Sequence, residues 1–454
     1  EGAFNQAFIP IYSDYQKNKN INDAKAFLNA IAGTLLTVLF VFTVIVLIFT
    51  PIFVLIFAPG FYIDPLKKDL SIQVLRIMFP YLALMSLVAF AGGIQNTHQK
   101  FTVPAFTPVL FNLSLIIAAV FVAPYYDMPI YVLAWGVLLA GFLQLLIQIS
   151  PLMSIDRLPI PKLDFKNKGV KRFITLILPA ILAGGIFQIN LLIDTIFASI
   201  LETGSPTWLY VSDRLIQFPL GIFAIAIGTV LLPTLSKYDL NYEKNKFIQS
   251  IKNGQRFVLF IGIPSLIGLF FCAEDIISTI FYRGAFTKID VIKSSYSLMA
   301  FSLGLPFFML MKVLTPAFFS RKDTKTPMIV ALISLMLNVL FNYFLAFVIG
   351  LGHVGIALGS SIAALISVCI LEIILYKNGF IKLNSMFNKF NAMILVASSF
   401  LIIFLNFYSQ NINFIDLDQL DRIIFLVIEV TMAIFIYFSI SRIIFGKPLK
   451  TILE

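Results

Sequence analysis

Pro10-Ile-Tyr-Ser13-Asp-Tyr15 returns 223 residues later as Pro233-Thr-Leu-Ser236-Lys-Tyr238. At the same offset Pro104 recurs as Pro327, and Ala134-Trp-Gly136 recurs as Ala357-Leu-Gly359. Three separated anchors at one spacing point to two homologous halves, each built of several membrane helices, an arrangement found in many transporters. The second half begins near Lys171. Its mate is therefore expected to begin about fifty residues before Glu1, with the first helix and part of the second lying upstream.

Composition sets the class. The 454 residues are 59% hydrophobic and only 12% charged, too little polar surface for a soluble protein of this size. Apolar stretches long enough to cross a hydrocarbon layer of about 30 Å recur along the chain. Twelve complete spans are expected, near 28–57, 72–94, 103–124, 129–153, 172–202, 207–235, 254–273, 294–319, 327–350, 353–376, 390–408 and 422–444. Residues 1–16 would end one more. Cys272 and Cys369 both fall inside apolar spans, where packing is their expected role rather than a disulfide.

The charges orient these spans. The connections 17–25, 95–102, 154–172, 236–256, 320–326 and 377–389, with the tail from residue 442, hold 24 of the 33 Lys and Arg residues. The opposite connections hold few, chiefly Lys67, Lys68, Arg283 and Lys288. This is the positive-inside pattern, so the basic connections and the C-terminus are expected on the cytoplasmic face. It also explains the net charge of +10. No nucleic-acid motif is present, and no nucleic-acid partner is expected. An even number of helices per half keeps both halves in the same orientation, as in a parallel repeat. The expected plan is all-α. An N-terminal lobe spans 1–153, a cytoplasmic linker 154–171 and a C-terminal lobe 172–379. Two extra helices and a tail occupy 380–454, making a fourteen-helix plan with six helices per lobe. In such transporters the substrate sits between the halves and access alternates as one half rocks against the other.

Charges inside apolar spans are the candidate functional residues, since the bilayer tolerates them where they line a pathway or find a partner. Arg214 sits about two turns into its span, in Trp208-Leu-Tyr-Val-Ser-Asp213-Arg214-Leu-Ile-Gln217-Phe-Pro219. One reading is a snorkelling arginine with Asp213 as partial counter-ion. The other is a cavity-facing cation whose planar fork suits phosphate or carboxylate. Lys312, in Met309-Leu-Met-Lys312-Val-Leu-Thr-Pro316, is the second intramembrane cation, with cavity and structural roles both open. Pro219 and Pro316, each near one of these residues, are the candidates for helix bends. Asp194 is a lone carboxylate in Asn190-Leu-Leu-Ile-Asp194-Thr-Ile-Phe. Asn338 and Asn342 are four apart, hence on one helical face. With Asp194 they offer oxygen ligands for a small coupling cation. The alternative is hydrogen bonding between helices. Glu372 and Glu429 receive no role.

No Walker motif, HExxH or paired-cysteine set appears, and the two histidines, His98 and His353, lie in different connections. A membrane enzyme is the rival class, and a cluster of His or carboxylates at one interface would have argued for it. A drug exporter with the same two-lobed plan is a second rival, but its pocket should carry acids, whereas Arg214 and Lys312 are basic.

The run Glu1-Gly-Ala-Phe-Asn-Gln-Ala-Phe-Ile-Pro-Ile-Tyr-Ser-Asp-Tyr15 resembles the signature of the lipid II flippase family (MurJ, formerly MviN). So do Gln95-Asn-Thr-His-Gln-Lys-Phe-Thr-Val-Pro-Ala-Phe-Thr-Pro108, Asp213-Arg-Leu-Ile-Gln-Phe-Pro219 and Lys312-Val-Leu-Thr-Pro-Ala-Phe-Phe-Ser-Arg-Lys-Asp-Thr-Lys-Thr-Pro327. The resemblance covers essentially the whole chain. It implies the multidrug/oligosaccharidyl-lipid/polysaccharide exporter fold of fourteen helices. It also implies transport of the undecaprenyl-diphosphate-linked peptidoglycan precursor across the bacterial inner membrane. Arg214 matches the cavity arginine of the family's eighth helix; other family arginines lie on the first two helices. Some relatives have Glu where this chain has Gln217, which leaves the cavity here more basic. The implied substrate site is Arg214 and Lys312 with Asp213 and Gln217, and the implied partners are the lipid-linked precursor and membrane lipids. The two C-terminal helices are suggested to shape a groove for the polyprenyl tail. With no ATP site, an ion gradient or the membrane potential would drive transport, by way of a monovalent cation in the first case. The functional unit is expected to be a monomer.

The charge pattern makes a direct prediction about sidedness. With single cysteines placed in intact cells, a membrane-impermeant thiol reagent should label a cysteine at Gly204 and spare those in 154–172 and 236–256. Labelling of the basic connections would reverse the orientation.

Overall fold

The computed structural model describes residues 2–18, 20–164, 167–239, 242–381 and 389–446. They form an all-helical protein with nineteen α-helices among them. The chain divides into two compact units, Glu1–Ile189 and Asn190–Glu454.

The first unit contains α1 (Gly2–Asn18), α2 (Ile21–Ile48), α3 (Thr50–Phe57), α4 (Pro59–Ile63), α5 (Pro65–Met78), α6 (Pro80–Thr97), α7 (Thr102–Ile117), α8 (Pro129–Ser154) and the start of α9 (Lys168–Ile200). Its tightest packing is aromatic. Phe4 and Phe8 stack with ring centroids 5.3 Å apart, and each also meets Phe90 edge-on. The second unit holds the rest of α9, then α10 (Ser205–Pro219), α11 (Ala226–Ser236), α12 (Lys244–Phe271), α13 (Ala273–Phe281), α14 (Lys288–Ser302), α15 (Leu305–Phe319), α16 (Lys325–Tyr343) and α17 (His353–Lys377). The hairpin α18 (Lys389–Asn411) and α19 (Gln419–Phe445) closes the chain.

The repeat extends to the helix bounds themselves. Moved forward by 223 residues, α2 runs from 244 to 271, the bounds of α12. Likewise α5 becomes 288–301 against 288–302 for α14, and α7 becomes 325–340 against 325–343 for α16. Helix α8 becomes 352–377 against 353–377 for α17. Even the interruptions repeat. The break at Phe49 between α2 and α3 corresponds to the break at Cys272 between α12 and α13. A π-helical turn follows α7 at Ala118–Val122 and α16 at Phe344–Val348.

Three expectations need correction. First, eleven helical stretches among the described residues, not twelve, are long and apolar enough to span a bilayer. The remaining stretch, 172–202, is α9, whose described apolar part is Gln188–Ile200; the side chains at 178–184, Pro179 included, lie outside the described residues. Second, the boundary between compact units falls inside α9, at Ile189, rather than at residue 172. The reason is packing: Val170 and Phe173 are buried in the aromatic core with Phe4 and Phe27, and Arg172 pairs with Asp14 at 3.0 Å. Third, the basic connection 236–256 is mostly helix. Phe247 and Ile251 carry the buried face of α12 below the apolar stretch, so Lys244, Lys246, Lys252 and Arg256 stand on helix. Hydropathy locates the membrane-embedded part of a helix, not its end.

The anchor glycines are close-approach positions. A Cβ at Gly136 would lie 2.8 Å from the Ala118 Cβ, and one at Gly359 would lie 2.2 Å from Asn342 Oδ1 and 3.0 Å from the Asn342 backbone N. Small residues of this kind let membrane helices meet backbone to backbone. Gly359→Ala is therefore expected to destabilise the protein by about 1–3 kcal/mol, the usual cost of overpacking. Gly268→Ala, where nothing lies within 4 Å, should be neutral to within roughly 0.5 kcal/mol. Thermal unfolding of the two purified variants tests the contrast; equal midpoints would show that the α16–α17 approach does not require glycine.

Candidate functional site

Three helices of the second unit converge on one polar cluster. Asp194 comes from α9, Asn338 and Asn342 from successive turns of α16, and Ser360 from α17, one residue after the close-approach Gly359. Asn342 Nδ2 donates to Asp194 Oδ1 at 2.5 Å and to Asn338 Oδ1 at 3.0 Å. Asn338 Nδ2 donates to Ser360 Oγ at 2.8 Å, and that hydroxyl donates to Asp194 Oδ2 at 3.5 Å. Asn338 and Asn342 are buried, at 1% and 0% exposure.

The sequence-derived set Asp194, Asn338 and Asn342 is thus assembled in one place. Two members were not foreseen. Ser360 completes the ring, and its only signal was its position beside a repeat glycine. Asn190 lies one turn before Asp194 on α9, and its Oδ1 is buried without a partner, as is Asn342 Oδ1. Among the described residues no ion pair neutralises Asp194. The cluster therefore presents one carboxylate, unfilled amide oxygens and a hydroxyl. Oxygen donors of this kind suit a hard cation, and a single carboxylate matches a single positive charge.

Arg214, Lys312, Asp213 and Gln217 are distributed differently. On α10, Arg214 is exposed and its guanidinium lies over the Tyr210 ring at 4.7 Å from the centroid. Tyr210 and Phe218, one turn to either side, are 59% and 70% exposed, so the three residues form one open face. Asp213, partly buried, accepts instead from Gln217 Nε2 at 3.4 Å and lies within electrostatic range of Asp194. The expected Asp213–Arg214 ion pair does not form. Lys312 is exposed on α15, and its carbonyl marks the closest approach of Gly228 on α11. Among the described residues neither Arg214 nor Lys312 is in an ion pair. Of the two prolines read as bends, Pro219 stands directly before a π-helical turn, Leu220–Ile225, whereas α15 continues through Pro316 to Phe319. Glu372 accepts from Gln255 Nε2 at 2.8 Å, an ordinary contact between helices.

Comparison with known proteins agrees with this architecture. The profile of the family described as Lipid II flippase MurJ matches residues 1–415. A probable lipid II flippase MurJ of Vibrio cholerae serotype O1 is 40% identical over 378 residues, 82% of this chain and 72% of the relative. A solved structure of lipid II flippase MurJ in an inward closed conformation superposes with a TM-score of 0.79 at 27% identity, covering 98% of this chain and 88% of that one. An inward-facing multidrug resistance transporter of the MATE family, in the MOP superfamily, gives 0.65 at 12% identity, over 83% of this chain and 86% of that one, and shares the fold alone.

The geometry of the cluster predicts a separable effect of Asp194→Asn. The variant keeps a hydrogen-bonding partner for Asn342, so it should fold, but it removes the single negative charge. Stabilisation of the purified protein by sodium or potassium should fall at least about tenfold in apparent affinity, the order expected for a lost charge contact. An unchanged ion dependence of the thermal midpoint would leave Asp194 with a purely structural role.

Proposed function

The chain belongs to the lipid II flippase MurJ family, and we propose on that premise that it moves lipid II across the bacterial inner membrane by alternating access. The match to the family profile over residues 1–415 carries this reading. The chemistry of the side chains supports it. Lipid II has a diphosphate and peptide carboxylates on its head, which need cationic partners in water. Its polyprenyl tail stays in lipid. Arg214, exposed, free of any ion pair and flanked by Tyr210, has the fixed fork that bonds two phosphate oxygens at once. Lys312 would add a second positive charge, with Asp213 and Gln217 orienting the segment around Arg214.

The protein acts as a transporter rather than an enzyme, with the lipid-linked precursor and membrane lipids as its partners. It works as a monomer, and its C-terminus lies on the cytoplasmic face, as the basic connections imply. The Asp194, Asn338 and Asn342 cluster, with Ser360, binds a monovalent cation whose gradient drives the cycle. That cation is the only cofactor in this reading.

Paired substitutions at Arg214 test the substrate assignment. Losing a charge-assisted contact costs about 1.5–3 kcal/mol, so Arg214→Ala should slow flipping of labelled lipid II in liposomes roughly 10- to 100-fold. Arg214→Lys keeps the charge but loses the fork and should recover only part of the rate. Full rates in both variants would return Arg214 to the interface as a snorkelling residue, because lysine snorkels as well as arginine.

A further inference from the structure

Away from the Asp194 cluster, the second unit buries two more carboxyl groups on facing helices. Asp275 on α13 is 5% exposed and Glu429 on α19 is 0% exposed. Glu429 Oε1 accepts a weak hydrogen bond from Cys272 Sγ at 3.2 Å. Asp275 Oδ2 and Glu429 Oε2 are both buried without any hydrogen-bond partner. The two carboxyls lie within electrostatic range of one another.

No cation reaches them, because the nearby charges are engaged elsewhere. Arg422, two turns before Glu429 on α19, directs its guanidinium to the carbonyl oxygens of Phe414, Ile415 and Tyr282. Lys288, at the start of α14, pairs with Asp416 at 3.9 Å, and Lys293 pairs with Glu202 at 2.6 Å. Asp290 on α14 caps its own helix through Thr287. Tyr408 on α18 donates its hydroxyl to the Phe425 carbonyl. Glu274, beside Asp275, adds only another acid. Among the described residues neither Asp275 nor Glu429 is in an ion pair.

Two ionised carboxylates buried together with no counter-ion would cost several kcal/mol or more. A proton removes most of that cost, because a carboxylic acid donates where a carboxylate only accepts. We propose that Asp275 and Glu429 form a proton-binding pair that holds one proton and thereby seats α19, and with it the C-terminal hairpin, on α13. The seat is otherwise light: Gln419 Nε2 donates to the Thr279 carbonyl at 2.9 Å at its edge. Loss of the proton leaves two adjacent negative charges, so the hairpin is released as pH rises. The pair stands apart from the Asp194 cluster in sequence, helices and ligand. It does not depend on the transport reading.

Dicyclohexylcarbodiimide, an apolar reagent that modifies protonated carboxyls, tests this on the full chain in liposomes, with adducts located by peptide mass spectrometry. An adduct is expected at Glu429 or Asp275, and its rate should fall about tenfold per pH unit once the pair titrates. In Asp275→Asn, the fall at Glu429 should shift to lower pH, since the neighbouring charge is gone. Amide exchange in the first turns of α19 should rise over the same pH range in the native chain and stay flat in Glu429→Gln, which mimics the protonated acid. Should Glu429→Gln fail to fold, Asp275→Asn provides the same comparison. No adduct at either residue, a rate independent of pH, or suppression of the adduct by sodium at fixed pH would each overturn the proposal.

Discussion

In a bilayer the apolar effect does not hold one helix against another, because lipid is as apolar as leucine. Close backbone approach and a few polar contacts must do so instead. The meeting of α16 and α17 shows this constraint most clearly. Gly359 brings α17 so near that the Asn342 side-chain carbonyl occupies the space a Cβ would take. The same approach brings Ser360 within reach of Asn338 and Asp194. A packing requirement, legible as a repeated glycine, therefore also positions the candidate ion site.

The two halves share a scaffold and differ in what they bury. In the first unit, Gln95, Gln148, Gln144 and Thr107 form a network linking α6, α7 and α8, with the Tyr81 hydroxyl at its edge. The positions 223 residues later are Phe318, Leu371, Ser367, Val330 and Gly304. Conversely, Asn338, Asn342 and Ser360 correspond to Leu115, Ala119 and Val137. Each half thus carries one polar inset at a place where the other is largely apolar. Buried polar groups in lipid persist only where their partners persist, so the insets mark where the halves have taken on different tasks. Only the second carries a carboxylate, which is why the ion chemistry is proposed there.

Much of this was legible in the sequence because it rests on periodic or local signals. The offset between Pro10 and Pro233 located every matched helix, down to the shared bounds of α2 and α12. The i, i+4 spacing of Asn338 and Asn342 put both on one face. Contacts between elements distant in sequence were not legible. Ser360 is one serine among several on α17, and nothing local sets it apart. Glu429 is a lone acid in an apolar run, and its neighbour Asp275 lies in a segment outside the spans, so their meeting is a tertiary fact. The position of the unit boundary inside α9 likewise depends on Phe173 reaching the aromatic core formed by Phe4 and Phe27.

Helix α10 links the two proposed chemistries through adjacent residues. Asp213 turns toward the Asp194 cluster, while Arg214 turns to the open face beside Tyr210 and Phe218. With Asp194 empty, two acids stand near one another and hold the Asp213 side of the helix under repulsion. A cation at Asp194 relieves it, because interactions between such charges in a low-dielectric site are large. Relief on one face of α10 acts on the other through a rigid helical turn. The π-helical turn after Pro219 provides a place where that helix can change direction without losing its backbone hydrogen bonds. Cation binding and anion binding are therefore coupled by geometry on a single helix, and linkage requires the coupling to be reciprocal: an anion held at Arg214 alters the affinity for the cation by the same factor.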